Sequence, residues 1–517
     1  MLSAATLPEL LHRAAATAPA ATALRYRDER LSYADWAHAA GRLAAAFAAR
    51  GVSRGDVVAL LLPSTPLYPI AYLAAARLGA ITTGINVRYR RSELAHIVER
   101  AVPRLLVAVE RWHDADFRAI CPAGPDVLWL RPEELRAGTL ALVERLAAGA
   151  PSPPLVAAAP DDPVAIVFTS GTTGRPKGAW YAHRNLAALA AIEARRHPEG
   201  LPPGRVHLAA GLSFAHIGTM ARMAVQIGTL TDLLIHDTFE PAAVLAAIER
   251  ERLTHLGAFP TQAVMLLDHP ERAHRDLSSL RTVLLGGAPA SPALIRRVQE
   301  TLRVRVEVRY SSTEVGIATS SLPDDPPEVL ATTVGVATPG VELRIVDAQG
   351  CPLPPGEAGE VLVRSPATMR GYWRDPEATA ATLDAEGWIH TGDIGVLEAD
   401  GHLRLRGRQS EMYIRGGFNV YPAEIEDLLA CHPRVARAAV VGVPDARLGE
   451  IGWAFVVPRE PSAPPTLSEL RSFVGAELAS FKRPDGLTIV AELPLTPMFK
   501  VDKRALRALG TQQRERP

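Results

Sequence analysis

Cysteine is almost missing from this chain: three among 517 residues, at Cys121, Cys351 and Cys431. They lie far apart and never in C-x-x-C spacing. Neither a disulfide framework nor a thiolate zinc site is expected, and a reducing, cytoplasmic setting is. Net charge is missing too, because Lys+Arg and Asp+Glu both number 56. That balance argues against nucleic acid or an anionic membrane as the main partner. No apolar run approaches the length needed to cross a bilayer; Val57 to Pro63 is strand-sized. Met1 to Leu11 lacks a basic stretch followed by an apolar one, so no signal peptide is expected. Internal repeats are absent, and the one biased stretch is a Pro/Ala-rich link from Ala150 to Pro163.

What is present is an ordinary globular composition, 48% hydrophobic and 22% charged, in a chain too long for a single core. Two or more structural units are expected. Helix and strand patterns alternate over the first 400 or so residues, which predicts a layered α/β fold. Tyr33, Trp36, Ala40, Leu43 and Phe47 recur at helical spacing, whereas Val57 to Leu62 and Val164 to Phe168 read as buried strands. Val304, Val306, Val308 and Tyr310 alternate with Arg305, Glu307 and Arg309, the pattern of a half-buried strand. A change of unit is expected near Gly407–Ser410, dividing residues 1–407 from 408–517. In the second part, Pro422 opens a helix facing inward through Ile425, Leu428 and Leu429. Ala438 to Val443 and Trp453 to Val457 read as strands, and Thr466 to Glu469 has capping-box spacing ahead of another helix. The tail after Arg504 reads as polar and frayed.

The segment Thr169–Ser170–Gly171–Thr172–Thr173–Gly174–Arg175–Pro176–Lys177–Gly178 directly follows a buried strand. It offers close backbone approach, four hydroxyls and one ammonium, which suits a polyphosphate. Walker A spacing is absent, because Lys177 comes three residues after Gly174 and is followed by Gly178; a P-loop phosphotransferase is disfavoured.

This loop resembles the phosphate loop of the adenylate-forming superfamily, which holds acyl-CoA synthetases, adenylation domains of peptide synthetases and luciferases. The resemblance extends from about Leu7 to Leu506, with the motifs in the family's order. It implies a large N-terminal domain of layered sheets and helices and a small mobile α+β C-terminal domain. The implied reaction has two steps: a carboxylate and ATP give acyl-AMP and pyrophosphate, then a thiol displaces AMP. Gly286–Gly287–Ala288–Pro289 resembles the adenine-side loop. Tyr310–Ser311–Ser312–Thr313–Glu314 resembles the YGxTE motif, implying Tyr310 on adenine, Thr313 on phosphate, and Glu314 together with Thr169 on Mg²⁺. Thr391–Gly392–Asp393 implies Asp393 on the ribose hydroxyls, as a carboxylate can accept from a cis-diol. Gly407–Arg408 implies Arg408 on ribose or α-phosphate, with Ser410 at the hinge. Pro494 to Lys500 resembles PxTxxGK and implies Lys500 as the adenylation lysine; neighbouring Lys503 by itself reads as a surface lysine. Ser311, Ser410 and Phe499 depart from the family's residues.

The stretch Leu212 to Thr219 holds no acidic residue, so an α-ammonium would lack a counter-charge and amino acids are disfavoured. His216 resembles the pocket-wall histidine of fatty- and aryl-acid ligases. Val315, Gly316 and Ile317 follow Glu314 where acetate-type enzymes have a Trp, implying a larger acid. Phe259, Met265, Val315 and Ile317 are candidate apolar lining for a medium-chain, alicyclic or aromatic acid. Gly416–Gly417 and the pair Lys482–Arg483 imply a path for coenzyme A. The alternatives are loading of a carrier-protein thiol, and a degenerate protein that performs only the thioester step. Nothing in the sequence fixes the oligomeric state.

Overall fold

The computed structural model describes residues 6–151, 153, 156–169, 176–196, 206–210, 213–287, 290–496 and 500–515. Within that range, three large sheets are built from residues 22–408 and a separate one from 413–489.

The first sheet centres on Val57–Leu61, a continuous apolar strand buried along its whole length. It pairs in parallel with Ile81–Gly84 and Leu105–Val109, the arrangement expected of a strand covered on both faces. One cover is the helix Tyr33–Ala49, started by a capping box in which Ser32 and Asp35 each accept from the other's backbone N–H. Its buried stripe includes Tyr33, Trp36, Ala40, Leu43 and Phe47, as the periodicity predicts. At one edge, Pro163–Phe168 leads antiparallel into Gly178–Ala182, which pairs with the short strand Gly371–Tyr372.

The second sheet carries six parallel strands in the order Arg305–Ser312, Thr282–Leu285, His255–Ala258, Val206–Ala210, Asp232–His236 and Thr22–Tyr26. Here the half-buried reading of residues 304–310 is corrected. Val306, Val308 and Tyr310 are buried, but Glu307 on the other face is only 3% exposed. Helices cover both faces of this sheet, so the polar side had to be satisfied internally. Arg309 bonds Glu307 at 3.3 Å and Glu193 at 3.1 Å, and Arg196 bonds Glu193 at 3.0 Å.

The third sheet is antiparallel and ends with Leu403–Arg408. A single 3₁₀ turn, Gln409–Glu411, leads to Tyr413–Arg415 in the last sheet. Helices Pro422–Leu429 and Leu467–Glu477 pack on that sheet through Ile425, Leu429, Leu470 and Val474, and the expected capping box at Thr466 and Glu469 is formed. The frayed-tail reading is wrong: Lys503–Glu515 is a helix whose Leu506 is fully buried against Val443 and Phe455. Its apolar residues are few but recur on one side, and the sheet supplies the rest of that core.

Candidate active site

Ligand sites in open α/β sheets lie beyond the carboxyl ends of the strands. The sequence motifs gather there: Thr169 after Phe168, His216 beyond Val206–Ala210, Phe259 after Ala258, Gly287 after Leu285, and Thr313–Glu314 after Ser312.

The two described ends of the expected phosphate loop are joined to each other. Thr169 N–H donates to the Lys177 carbonyl at 2.9 Å, and Lys177 N–H donates to Thr169 Oγ1 at 3.3 Å. The expected phosphate ligands Ser170, Gly171, Thr172, Thr173 and Gly174 lie outside the described residues, as do Ala288, Pro289 and Phe499. The Lys177 ammonium stands 5.0 Å from the Tyr372 ring centroid. The Tyr372 hydroxyl donates to Glu314 Oε1 at 2.8 Å, while Ser312 Oγ donates to Oε2 at 3.0 Å. Tyr372 thus joins Lys177 and Glu314, the two ionic groups expected at the phosphates. Sequence reasoning passed over it, because a lone Gly-Tyr pair has no charge or spacing signal; strand pairing across about 190 residues brings it here. The Thr313 carbonyl accepts from the buried Tyr181 hydroxyl, which fixes the turn carrying Glu314.

Asp393 and Arg408 are register partners on adjacent antiparallel strands, with Arg408 Nε 3.0 Å from Asp393 Oδ1. Asp393 Oδ2 accepts from the Tyr310 hydroxyl at 2.5 Å, and Asp393 is 5% exposed. Burial raises its carboxyl above the ordinary range, outweighing the opposing pull of Arg408 and Tyr310. Ser311 beside it is exposed. Lys500 belongs to the same electrostatic cluster. Burial, then Arg408, hold its ammonium below lysine's ordinary value, while Asp393, Glu314 and Glu411 oppose them. Lys500 is carried on a turn in which Thr496 N–H donates to its carbonyl at 2.7 Å.

His216 caps the helix Ile217–Thr229, its Nδ1 accepting from Gly218 N–H at 3.2 Å. Burial, then the nearby Lys500 charge, push it down to about 3, so the ring is neutral near pH 7. It meets Phe259 edge-on with centroids 6.5 Å apart. Phe259 in turn lies against Gly287, which has φ +77°; a Cβ there would fall 2.4 Å from the Phe259 ring. Only glycine fits both demands. Val315 is fully buried in the main core, and Ile317 packs against that core half-buried. Met265 is corrected: it is 42% exposed, turned off the buried stripe of its helix, Gln262, Ala263 and Leu266.

The residues expected at the thiol path lie in the last sheet and the segments packed on it. Gly416 and Gly417, with φ +57° and +87°, form the exposed two-residue turn of the hairpin Tyr413–Val420, whose two ends are buried. Phe418 beside them stacks on Phe481 at 4.5 Å. Lys482 is ion-paired with Glu424, and the Arg483 guanidinium lies across Gly475. Ser410 is exposed in the 3₁₀ turn. Lys503 is not a plain surface lysine: it bridges Glu411 at 2.6 Å and Glu426 at 3.0 Å.

Among the described residues, no group of three or more His, Cys, Asp or Glu side chains is placed to hold a metal, and no helix is long and apolar enough to cross a membrane.

The sequence model described as AMP-binding enzyme matches residues 11–373, and that of the AMP-binding enzyme C-terminal domain matches 424–500. A 3-[(3aS,4S,7aS)-7a-methyl-1,5-dioxo-octahydro-1H-inden-4-yl]propanoyl:CoA ligase of Mycobacterium tuberculosis is 40% identical, over 98% of this chain and 99% of its own. A feruloyl-CoA synthase of an Amycolatopsis species is 34% identical, over 96% and 97% respectively. Among solved structures, ATP-bound MatB from Rhodopseudomonas palustris superimposes with a TM-score of 0.88 at 31% identity, covering 98% of this chain and 99% of that one.

Proposed function

Because the chain belongs to the AMP-binding enzyme family, we propose that it is an ATP-dependent acid–thiol ligase. It activates an alicyclic or aromatic carboxylic acid as an acyl-adenylate and passes the acyl group to coenzyme A. The observation that carries this reading is the convergence of Lys500, Arg408, Asp393 and Glu314 in one cluster, with Lys177 joined to Glu314 through Tyr372.

In the first step a substrate carboxylate oxygen attacks the α-phosphorus of ATP, and pyrophosphate leaves. The α-phosphate gains negative charge as the new bond forms. Lys500 stabilises that charge more than it stabilises the ground state, which is what accelerates a step. Asp393 receives the ribose hydroxyls, and Arg408, held by Asp393, faces the sugar or α-phosphate. Lys177 and the 169–178 loop carry the outgoing phosphates. A single carboxylate fits Mg²⁺, which takes one or two protein carboxylates and fills its shell from substrate phosphates and water. Glu314, oriented by Tyr372 and Ser312 and joined by Thr169, would hold it; when bound it neutralises phosphate charge.

His216, neutral and edge-on to Phe259, borders the acid without adding to the positive charge that Arg408 already sets beside Lys500. No acidic side chain lies in 213–219 to pair an amino acid's ammonium, which supports a non-amino acid. In the second step the thiol attacks the acyl carbon and AMP leaves. For that step we propose that the chain beyond Ser410 swings about it while Arg408 stays paired with Asp393, which withdraws Lys500 and brings the Gly416–Gly417 hairpin to the site. Coenzyme A is preferred to a carrier-protein thiol because the relatives described above are ligases and synthases of coenzyme A thioesters.

The test is ATP–pyrophosphate exchange with a panel of acids, followed by mass spectrometry with coenzyme A as acceptor. Exchange should require both acid and Mg²⁺. Lys500→Ala should lose roughly 10²–10³ in the exchange rate while still converting supplied acyl-AMP to thioester. No exchange with any acid, alongside efficient use of supplied acyl-AMP, would leave only the thioester half of the proposal standing.

A further inference from the structure

Arg406 lies on the last strand of the third sheet, Leu403–Arg408, just ahead of the residue that pairs with Asp393. Its neighbours Leu405 and Gly407 face Gly395 and Ile394, which are consecutive on the adjacent strand, so Arg406 is the extra residue of a β-bulge. Bulges re-aim a side chain, and this one reaches across Ser410. Arg406 Nη1 donates to Glu424 Oε1 at 3.2 Å, and Glu424 stands in the first turn of the helix Pro422–Leu429. Gly407 brings that helix close. A Cβ on it would sit 3.4 Å from Tyr421 Cβ and 3.7 Å from Ala423 Cβ, so the helix start rests against the strand.

Glu424 Oε2 accepts from a second cation, Lys482. A swing about Ser410 treats the two cations differently. Lys482 travels with Glu424, whereas Arg406 stays on the third sheet. After separation Glu424 keeps Lys482, and the Arg406 side chain, already 43% exposed, passes into water. Release therefore strands no buried charge, which is what makes buried pairs hard to break. The contact is also incomplete, because Arg406 Nε is buried without a hydrogen-bond partner. A half-exposed pair of this kind is weak enough to open in every catalytic cycle and strong enough to bias an orientation. The Lys503 bridge has no such role, since Glu411 and Glu426 both move with it.

Resting on the ligase reading and the swing proposed with it, we infer that Arg406 is a positioning residue for adenylation. Its bond to Glu424 docks the chain beyond Ser410 in the orientation that brings Lys500 to the site, and it is released for thioester formation. Arg406 touches neither ATP nor acid and acts through Lys500.

Adenylation draws on the docked fraction and thiol attack on the undocked one. The ratio of the two rates therefore follows the orientation equilibrium, whichever state predominates. The rates are ATP–pyrophosphate exchange and conversion of supplied acyl-AMP to thioester. Arg406→Met should lower their ratio roughly threefold to tenfold, and Arg406→Lys should restore part of it. Glu424→Gln should match Arg406→Met, because its loss of Lys482 is common to both orientations, and the double variant should add little. A second measurement needs no turnover. Cys351 and Cys431 are exposed on opposite sides of Ser410, so spin labels on them in a Cys121→Ser background report the separation by pulsed EPR. Arg406→Met should move population away from the wild-type distance by the same factor. A ratio within about twofold of wild type, equal losses in both half-reactions, or an unchanged distance distribution in folded Arg406→Met overturns the inference. Absence of wild-type exchange with every acid would count against the ligase reading instead, and the label distances would still judge Arg406.

Discussion

Removing one oxygen from Tyr372 tests the proposed phosphate end of the site. The hydroxyl is one of two side-chain donors on Glu314, at 2.8 Å, and Ser312 supplies the other at 3.0 Å. The ring is a separate feature, 5.0 Å from the Lys177 ammonium. Tyr372→Phe deletes the hydroxyl and keeps the ring, so packing and the cation–π contact survive. A hydrogen bond to a charged group contributes about 1.5–3 kcal/mol. Ser312 still restrains the carboxylate, so a loss of about 1–2 kcal/mol is expected, roughly 5–30-fold in kcat/KM for Mg·ATP. The assay is ATP–pyrophosphate exchange at saturating acid with Mg·ATP varied, and the melting temperature should stay close to wild type. Tyr372→Leu should lose more, since the ring goes as well. The decisive comparison is a double-mutant cycle with Glu314→Gln. If Tyr372 acts by orienting Glu314, the second substitution adds little to the first. Fully additive losses would refute the reasoning, because they would mean that the hydroxyl acts somewhere other than on Glu314.

The remaining expectations concern charge. In the proposed mechanism Lys500 must be protonated to stabilise the α-phosphate, and burial with Arg408 lowers its pKa. Adenylation should therefore fall on an alkaline limb that begins below lysine's ordinary value of 10.5, while supplied acyl-AMP shows no such limb. His216 stays neutral down to about 3, so His216→Gln should leave the acidic side of that profile unmoved between pH 5 and 7 in exchange assays. His183, 1% exposed and accepting from Leu7 N–H, is depressed to about 4 mainly by burial. The unfolded chain binds a proton there that the folded chain refuses, so stability is full above about 6.5 and falls as pH drops toward 4. His183→Asn should flatten that fall by on the order of 3 kcal/mol in urea midpoints taken at pH 7 and pH 4.5. Lys503 is raised to about 12, because Glu426 and Glu411 outweigh the effect of burial. Lys503→Ala leaves two carboxylates without their shared cation and should destabilise the C-terminal part by on the order of 3 kcal/mol by denaturant unfolding. An unchanged midpoint would remove that bridge from the account.

Much of the fold was legible locally. Ser32 and Asp35 announce their helix in four letters, and Val57–Leu61 is too uniformly apolar to be anything but a covered strand. Thr466 and Glu469 likewise write their own cap. Legibility failed where the environment of a residue is supplied from far away. Glu307 and Arg309 alternate with valines just as solvent-facing residues do, and only the helix bearing Glu193 and Arg196 makes them interior. The C-terminal helix has too few apolar residues to be recognised alone, yet Leu506 finds a core on the sheet strands at 435–458. Met265 looks like pocket lining in composition and is turned outward by helical phase.

The sequence by itself determined which chemical groups are available to the site, because hydroxyls, carboxylates and ammonium groups in fixed order are properties of the residues. It also determined the local elements that present them, since caps, β-alternation and glycine turns are governed by neighbours within a few positions. Only the tertiary structure decided which groups share a field. Tyr372 between Lys177 and Glu314, and Lys500 beside Asp393 and Arg408, are pairings across tens to hundreds of residues. The reason is physical: hydrogen bonding and charge interaction act over a few ångströms of space, and separation along the chain carries no information about that distance until the sheets are assembled.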